Sequence, residues 1–197
     1  MDLYYLELSI HLTLDDNLAK EGDWTQFVEQ YYGEVSIYSE NVEDSILIGK
    51  IEFDILDVTL AINHKVQLLD VMDQIDSDRN KYAESIFDDS NGIIARDLGG
   101  EYLYPNDIFI FHMIELKEEF RGNRYGAEIT KLIIERFSGR CGLFVIMPVP
   151  QQFKKNSEEQ LGETYDQALK RLSGYWMSLG FEATVKDPDV LYRITGD

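Results

Sequence analysis

Apolar and polar positions follow two different rhythms along this chain. In residues 3–14, LYYLELSIHLTL, they alternate partly, which suits a strand. DWTQFVEQYYG follows and reads as a short helix, with Asp23 as its N-cap and Gly33 as its stop. EVSIYSE and SILIGKIEFDIL are rich in β-formers, with Gly49 in the second a candidate bulge. From Ala61 to about Ile86 the period becomes helical, with Val66, Leu69, Val71 and Met72 on one face, although DQIDSDRNKYAESIFDDSNG is polar throughout.

The second half has a clearer rhythm. DIFIFHMIEL, 107–116, is a nearly continuous apolar run, and GLFVIMPV is another; such runs mark strands buried on both faces. Between them FRGNRYGAEITKLIIERF carries Ile129, Leu132, Ile133 and Phe137 at helical spacing. Strand, helix and strand with both strands buried predict a βαβ unit with parallel strands. QQFKKNSEEQLGE reads as a loop. A helix over 164–179 with Leu169, Leu172, Trp176 and Leu179 as its stripe stops at Gly180, and VLYRI closes the pattern as a strand. The expected class is α/β (α+β), a central mixed sheet flanked by helices.

Composition narrows the function. With 197 residues, 44% hydrophobic and 12% aromatic, the chain can bury a core as one domain. No apolar run reaches the roughly 20 residues of a membrane helix, and the acidic start MDLYYLELSIHLTLDD lacks a secretion signal's basic region. One cysteine, Cys141, cannot form an internal disulfide; a reducing, cytoplasmic location and a packed thiol are expected. The formal charge is −19, and residues 1–100 hold 22 acidic against 6 basic side chains. Such a field repels phosphate backbones, so no nucleic-acid partner is expected; cationic small molecules or basic protein surfaces would be drawn in. The alternative is a solvated acidic surface that serves solubility. His11, His64 and His112 are widely spaced, no Cys/His pattern suggests a metal, and neither G-x-S-x-G nor a phosphate-binding Gly-rich Lys-Ser/Thr loop is present.

One motif carries chemistry. Arg121-Gly122-Asn123-Arg124-Tyr125-Gly126-Ala127 opens the helix after the first buried strand. A helix N-terminus exposes unpaired N–H groups at the positive end of its dipole. Glycines let the preceding turn gather those groups around one anion, and arginines add charge and forked donors. A phosphate or pyrophosphate would fit; the competing account is a tight turn with two solvated arginines.

With these residues in their order, the chain resembles the GNAT superfamily of acyl-CoA-dependent N-acyltransferases. That family's signature, Arg/Gln-x-x-Gly-x-Gly/Ala, is matched by Arg121, Gly126 and Ala127, with Arg124 standing at the usual first glycine. Leu179-Gly180-Phe181 reproduces the family's closing of its last core helix. The resemblance covers residues 107–194, an acyl-CoA-binding core. It leaves 1–60 as N-terminal strands and helix and 61–100 as a helical elaboration. It implies an acyltransferase moving acetyl from acetyl-CoA, as co-substrate, to a cationic amine. Main-chain groups from Ile114 to Leu116 would pair with the pantetheine arm, and Arg121, Gly122, Asn123, Arg124, Tyr125, Gly126 and Ala127 would hold the pyrophosphate.

Glu115 and His112, polar groups on an apolar strand, are candidate bases; three apart, they face opposite sides unless a bulge intervenes. The family's acid, a tyrosine four residues before the Leu-Gly-Phe glycine, is replaced by Trp176; Tyr175 beside it is the candidate, with a core role as its alternative. The second functional option is a GNAT-fold protein that binds CoA or a partner without catalysis. Oligomeric state is left open, a homodimer being one option.

Overall fold

In a computed structural model of the chain, residues 7–14, 24–39, 42–75, 77–88, 94, 98, 103–154 and 162–195 are described. The strands are β1 Glu7–Leu14, β2 Val28–Ser39, β3 Val42–Leu56, β4 Asp107–Leu116, β5 Cys141–Ile146, β6 Glu182–Ala183 and β7 Leu191–Ile194. The helices are α1 Val58–Asn63, α2 Leu68–Ile75, α3 Ser77–Ile86, α4 Tyr125–Phe137 and α5 Tyr165–Ser178. All seven strands join one mixed sheet in the order β1-β2-β3-β4-β5-β7-β6. Every neighbouring pair is antiparallel except β4 and β5, which run parallel and are connected through α4. The protein is therefore α/β with a mixed sheet and one βαβ unit, as the two apolar runs predicted.

Two layers of side chains cover the sheet. On one face Leu56, Ile108, Ile110, Leu143 and Val145 pack under α1 to α3, against Ala61, Val71, Met72, Ala83 and Ile86. On the other, Phe53, Phe109, Phe111, Phe144 and Ile146 pack under α4 and α5, against Ile129, Ile133, Ile134 and Trp176. Coverage of both faces explains why the start of β4 reads as unbroken apolar sequence; its first five residues are buried and its last five are not. Rings of Phe53, Phe109 and Phe144 stack across three adjacent strands, with centroids 4.3 and 5.0 Å apart. Truncating a phenylalanine in such a stack costs about 3–5 kcal/mol.

At the start of β5 a charged clasp ties four elements. Arg140 donates from Nη1 and Nη2 to the Glu29 carboxylate at 2.7 and 2.9 Å, and from Nε to Asp107 Oδ2 at 3.0 Å. Asp107 Oδ1 accepts from the Val58 N–H at 3.1 Å, and the Tyr31 hydroxyl donates to Glu29 at 2.8 Å. Cys141 next to it is fully buried, and burial pushes its thiol up to about 12, so it is packed rather than reactive.

The helix expected over 23–33 is not there. Asp23 lies outside the described residues; Trp24–Phe27 form one 3-10 turn, and β2 begins at Val28. Gly33 is no helix stop but a mid-strand residue, opposite Leu12 and Ile51. The β-branched and aromatic residues Val28, Tyr31 and Tyr32 won over the helical spacing, because pairing on both edges stabilises them as strand. On α4, Leu132 points outward at 39% exposure and Ile134 takes its place in the core. The bulge expected near Gly49 is present at Ile48: Val35 pairs Gly49 and Ser36 pairs Leu47. Of the loop expected over 151–163, Gln151–Lys154 form a 3-10 turn and 155–161 lie outside the described residues, as do 3–6 and 89–93.

Candidate functional site

Strand β4 ends at Leu116, the chain makes a single 3-10 turn at Glu118–Phe120, and the loop Arg121–Arg124 leads into α4. Gly122 has φ +79°, which its missing Cβ permits. Arg124 adopts φ +63°, ψ 5°, left-handed as well, at the N-cap of α4, and its side chain makes no capping bond. Such a turn orients successive main-chain amides toward one side; the Ala127 N–H returns to the Arg124 carbonyl at 3.0 Å, and the N–H groups of Tyr125 and Gly126 are the ones without a helical acceptor. The glycine habit of this loop is thus a matter of backbone sign, and Arg124 adopts that sign without being glycine.

Side chains fix the corner. Arg121 donates from Nε to the Leu116 carbonyl at 2.9 Å, folding the loop back on β4, and Asn123 Nδ2 donates to the Arg121 carbonyl at 3.4 Å. Gly126 sits where α5 crosses: a Cβ there would lie 2.7 Å from the Tyr175 hydroxyl. Thr130, one turn on, donates to the Gly126 carbonyl at 2.9 Å. Burial raises the Tyr175 phenol above its ordinary 10, against a hydrogen bond to Thr130 that lowers it. Tyr175 therefore keeps its proton near neutrality and has it to give.

A groove of about 540 Å³ leaves this corner. One wall is Arg121, Gly122, Arg124, Tyr125, Gly126 and Ala127; the other is Leu172, Tyr175 and Trp176 of α5 with Arg171 at the rim. Its floor is lined by His112, Met113, Ile114 and Leu116 of β4, by Ile146 at the end of β5 and by Met147 to Val149 after it. The last paired position of the parallel strands is Phe111 with Ile146. Beyond it β4 pairs only with β3, so its other edge faces the groove, with the Leu116 carbonyl taken by Arg121 and the positions before it left without a strand partner on that side.

A bulge decides which side chains reach this groove. Met113 pairs with Glu52 and Phe111 with Phe53, so His112 is the extra residue. Ahead of the bulge the even positions Ile108 and Ile110 face α1 to α3; after it the even positions Ile114 and Leu116 face α4 and α5. A bulge inserts one residue and so reverses the alternation. His112, at the switch, lines the groove with its side chain 28% exposed. Its Nε2 lies 2.8 Å from Oδ2 of Asp54, a buried carboxylate on β3, close enough to pair though not in hydrogen-bond alignment. An imidazole backed by a carboxylate has its orientation set by that partner.

Glu115 goes elsewhere. It lines a second, broader hollow of about 850 Å³ on the face of β2 to β4 that α1 to α3 leave uncovered. There Lys50 Nζ lies 3.7 Å from Glu52 and 3.6 Å from Glu115, with Tyr32 and Glu34 nearby. Leu116 and Arg121 border both hollows. Of the residues singled out from sequence, the first groove collects His112, Ile114, Leu116, Arg121, Gly122, Arg124, Tyr125, Gly126, Ala127 and Tyr175. Asn123 supports the turn from outside, and Glu115 is separated. Asp54 and Tyr82, which meet His112 here, went unnoticed; a lone aspartate inside SILIGKIEFDIL was the available signal.

No protein-family model matches the chain, and no curated protein sequence matches it either. Among the described residues no three His, Cys, Asp or Glu side chains gather as a metal site, and no helix is long and apolar enough to cross a membrane.

Proposed function

We propose that this is a GNAT-fold N-acetyltransferase of the cytoplasm that moves an acetyl group from acetyl-CoA to an amine, a cationic small molecule or a basic protein. The observation that carries the proposal is the continuous groove from the left-handed turn at Gly122–Arg124, past the unpaired edge of β4, to the fork between β4 and β5. A diphosphate suits the amides at the corner. An extended pantetheine arm suits the free strand edge, since it can pair there as an added strand would. The thioester then reaches the fork beside His112.

In this proposal the amine nitrogen attacks the thioester carbonyl, forming a C–N bond; the C–S bond then breaks, and the thiolate leaves. His112, with Nε2 turned to Asp54, accepts the proton the amine loses through its other ring nitrogen. Tyr175 stands on the thiolate's side of the groove with its proton in place, and a thiol with an ordinary value near 8.5 needs little help to take it up. Most of the work is positioning two partners. The acceptor enters from the acidic side of the sheet, where Glu34, Glu52 and Glu115 favour a cation.

The test is thiol release from acetyl-CoA across a panel of polyamines, aminoglycosides and lysine peptides, alongside calorimetric titration with CoA. Turnover on any amine supports the enzyme. Binding without turnover on every amine favours a second function, a CoA-binding or protein-interaction module. Trp176, buried at 4% exposure where the family places its acid, motivates that alternative. A chain that gives neither heat nor a thermal shift with CoA sinks the enzyme and the CoA-binding module and leaves the protein-interaction domain.

A further inference from the structure

One buried hydroxyl stands behind the fork, bonded to Met147 of the groove's lining. Tyr82 is carried by α3, in the helical segment between β3 and β4, and is 3% exposed. Its hydroxyl accepts from the Met147 N–H at 2.9 Å and donates to the Phe111 carbonyl at 3.2 Å. In a continuing parallel ladder a carbonyl takes its bond from the residue just beyond its neighbour on the next strand. Phe111 is paired with Ile146, so Met147 is that residue, and the hydroxyl has entered the rung between them. The ring stands edge-on to His112, centroids 6.5 Å apart at 84°.

This placement does two things together. A single oxygen satisfies both main-chain groups released where the strands part, so the fork is held open without orphaned polar atoms. It also stops the fork from behind. An acyl group entering past His112 meets the hydroxyl, and a longer chain has to push it aside, leaving the Phe111 carbonyl and Met147 amide buried without partners.

We infer that Tyr82 is a specificity-determining residue that limits the transferred acyl group to about two carbons; this rests on the groove being an acyl-CoA site. Helix α3 thereby acquires a role, since it delivers the stop from the face opposite α4.

The experiment is calorimetric titration of the full chain with CoA, acetyl-, propionyl-, butyryl- and hexanoyl-CoA, which needs no acceptor and no turnover. The wild type is expected to bind acetyl-CoA at least tenfold more tightly than hexanoyl-CoA. Tyr82→Leu should shrink that ratio below threefold through gain of the long chain. Tyr82→Phe, which keeps the ring in the core, should gain at least threefold on propionyl-CoA relative to acetyl-CoA; it decides the matter if the leucine variant does not fold. Equal affinity of the wild type for all acyl lengths overturns the inference while leaving the acyl-CoA proposal standing. So do unaltered ratios in the folded variants. Absence of binding for every CoA species overturns both.

Discussion

Asp54 and His112 meet across β3 and β4, Oδ2 to Nε2 at 2.8 Å, although neither is opposite the other in the strand register: Asp54 pairs with Ile110. His112 lies two residues past Ile110 on the same face, so it is the diagonal neighbour of Asp54 and within side-chain reach of it. If His112 accepts the amine's proton, His112→Gln should lower kcat by about 100-fold or more, the usual worth of a positioned base. Asp54→Asn should lower kcat by about tenfold with KM for acetyl-CoA unchanged, because it orients the ring without touching the donor. Steady-state kinetics with an accepted amine checks both, and a KM effect alone for Asp54→Asn would mean a structural role.

Arg124 supplies a charge at the cost of backbone comfort. A residue with a Cβ in the left-handed region costs about 1 kcal/mol, part of which glycine returns as unfolded-chain entropy. Arg124→Gly is therefore expected to leave stability unchanged or raise it by up to about 1 kcal/mol. Arg124→Ala keeps the conformation and loses the guanidinium, and should weaken CoA binding about tenfold, the worth of one charged hydrogen bond. Denaturant melts and titration of the two variants separate backbone from charge; equal affinity of Arg124→Ala and the wild type would remove the arginine from the site.

Gly126 and Tyr175 share one small space. An alanine in a helix interior ordinarily gains about 0.5–1 kcal/mol over glycine. Here the new methyl lies 2.7 Å from the Tyr175 hydroxyl and must drive it away. Gly126→Ala should therefore lose about 1 kcal/mol instead, and Gly126→Ala combined with Tyr175→Phe should recover most of it. A double-mutant cycle by chemical denaturation reads the coupling; additive effects would place the two residues further apart than described.

The clasp at Arg140 gives the fold an acid limb. The hydrogen bonds from Arg140, ahead of the opposing desolvation, hold the Glu29 carboxyl below its ordinary 4.5. Its contribution is therefore present above pH 4.5 and fades as pH falls through the lower folded value. Asp107 has the opposite sign, since burial raises its carboxyl despite Arg140. Glu29→Gln should cost about 1–2 kcal/mol at neutral pH, at the lower end for a half-exposed pair. The gap to wild type should close as the pH drops below 4.5; a gap that stays constant in acid would show that shape rather than charge holds the clasp.

The second half of the chain was largely legible from sequence because its signals are redundant. DIFIFHMIEL, α4 and GLFVIMPV each carry a pattern that tertiary packing reinforces, and β4 has the bounds the apolar run suggested. The glycine-arginine corner was legible too, since backbone conformation is written locally. Residues 24–33 misled because Phe27, Val28 and Tyr31 sit at helical spacing by chance, and the pairing of Val28 and Tyr31 with β3 is decided some 25 residues away. The partners of His112 were hidden for the same reason. Asp54 and Tyr82 are brought to it by strand register and by a polar helix, neither of which leaves a local mark. The bulge itself depends on β3 supplying one residue fewer than β4 between two ladder rungs.

That extra residue is taken up where it stands. Removing one position between Phe111 and Ile114 would erase the bulge and restore plain alternation, leaving Ile114 and Leu116 toward α4 and Glu115 toward the acidic hollow. Length at this point of the strand therefore governs which side chain stands at the fork, while the linings of the two hollows keep their places.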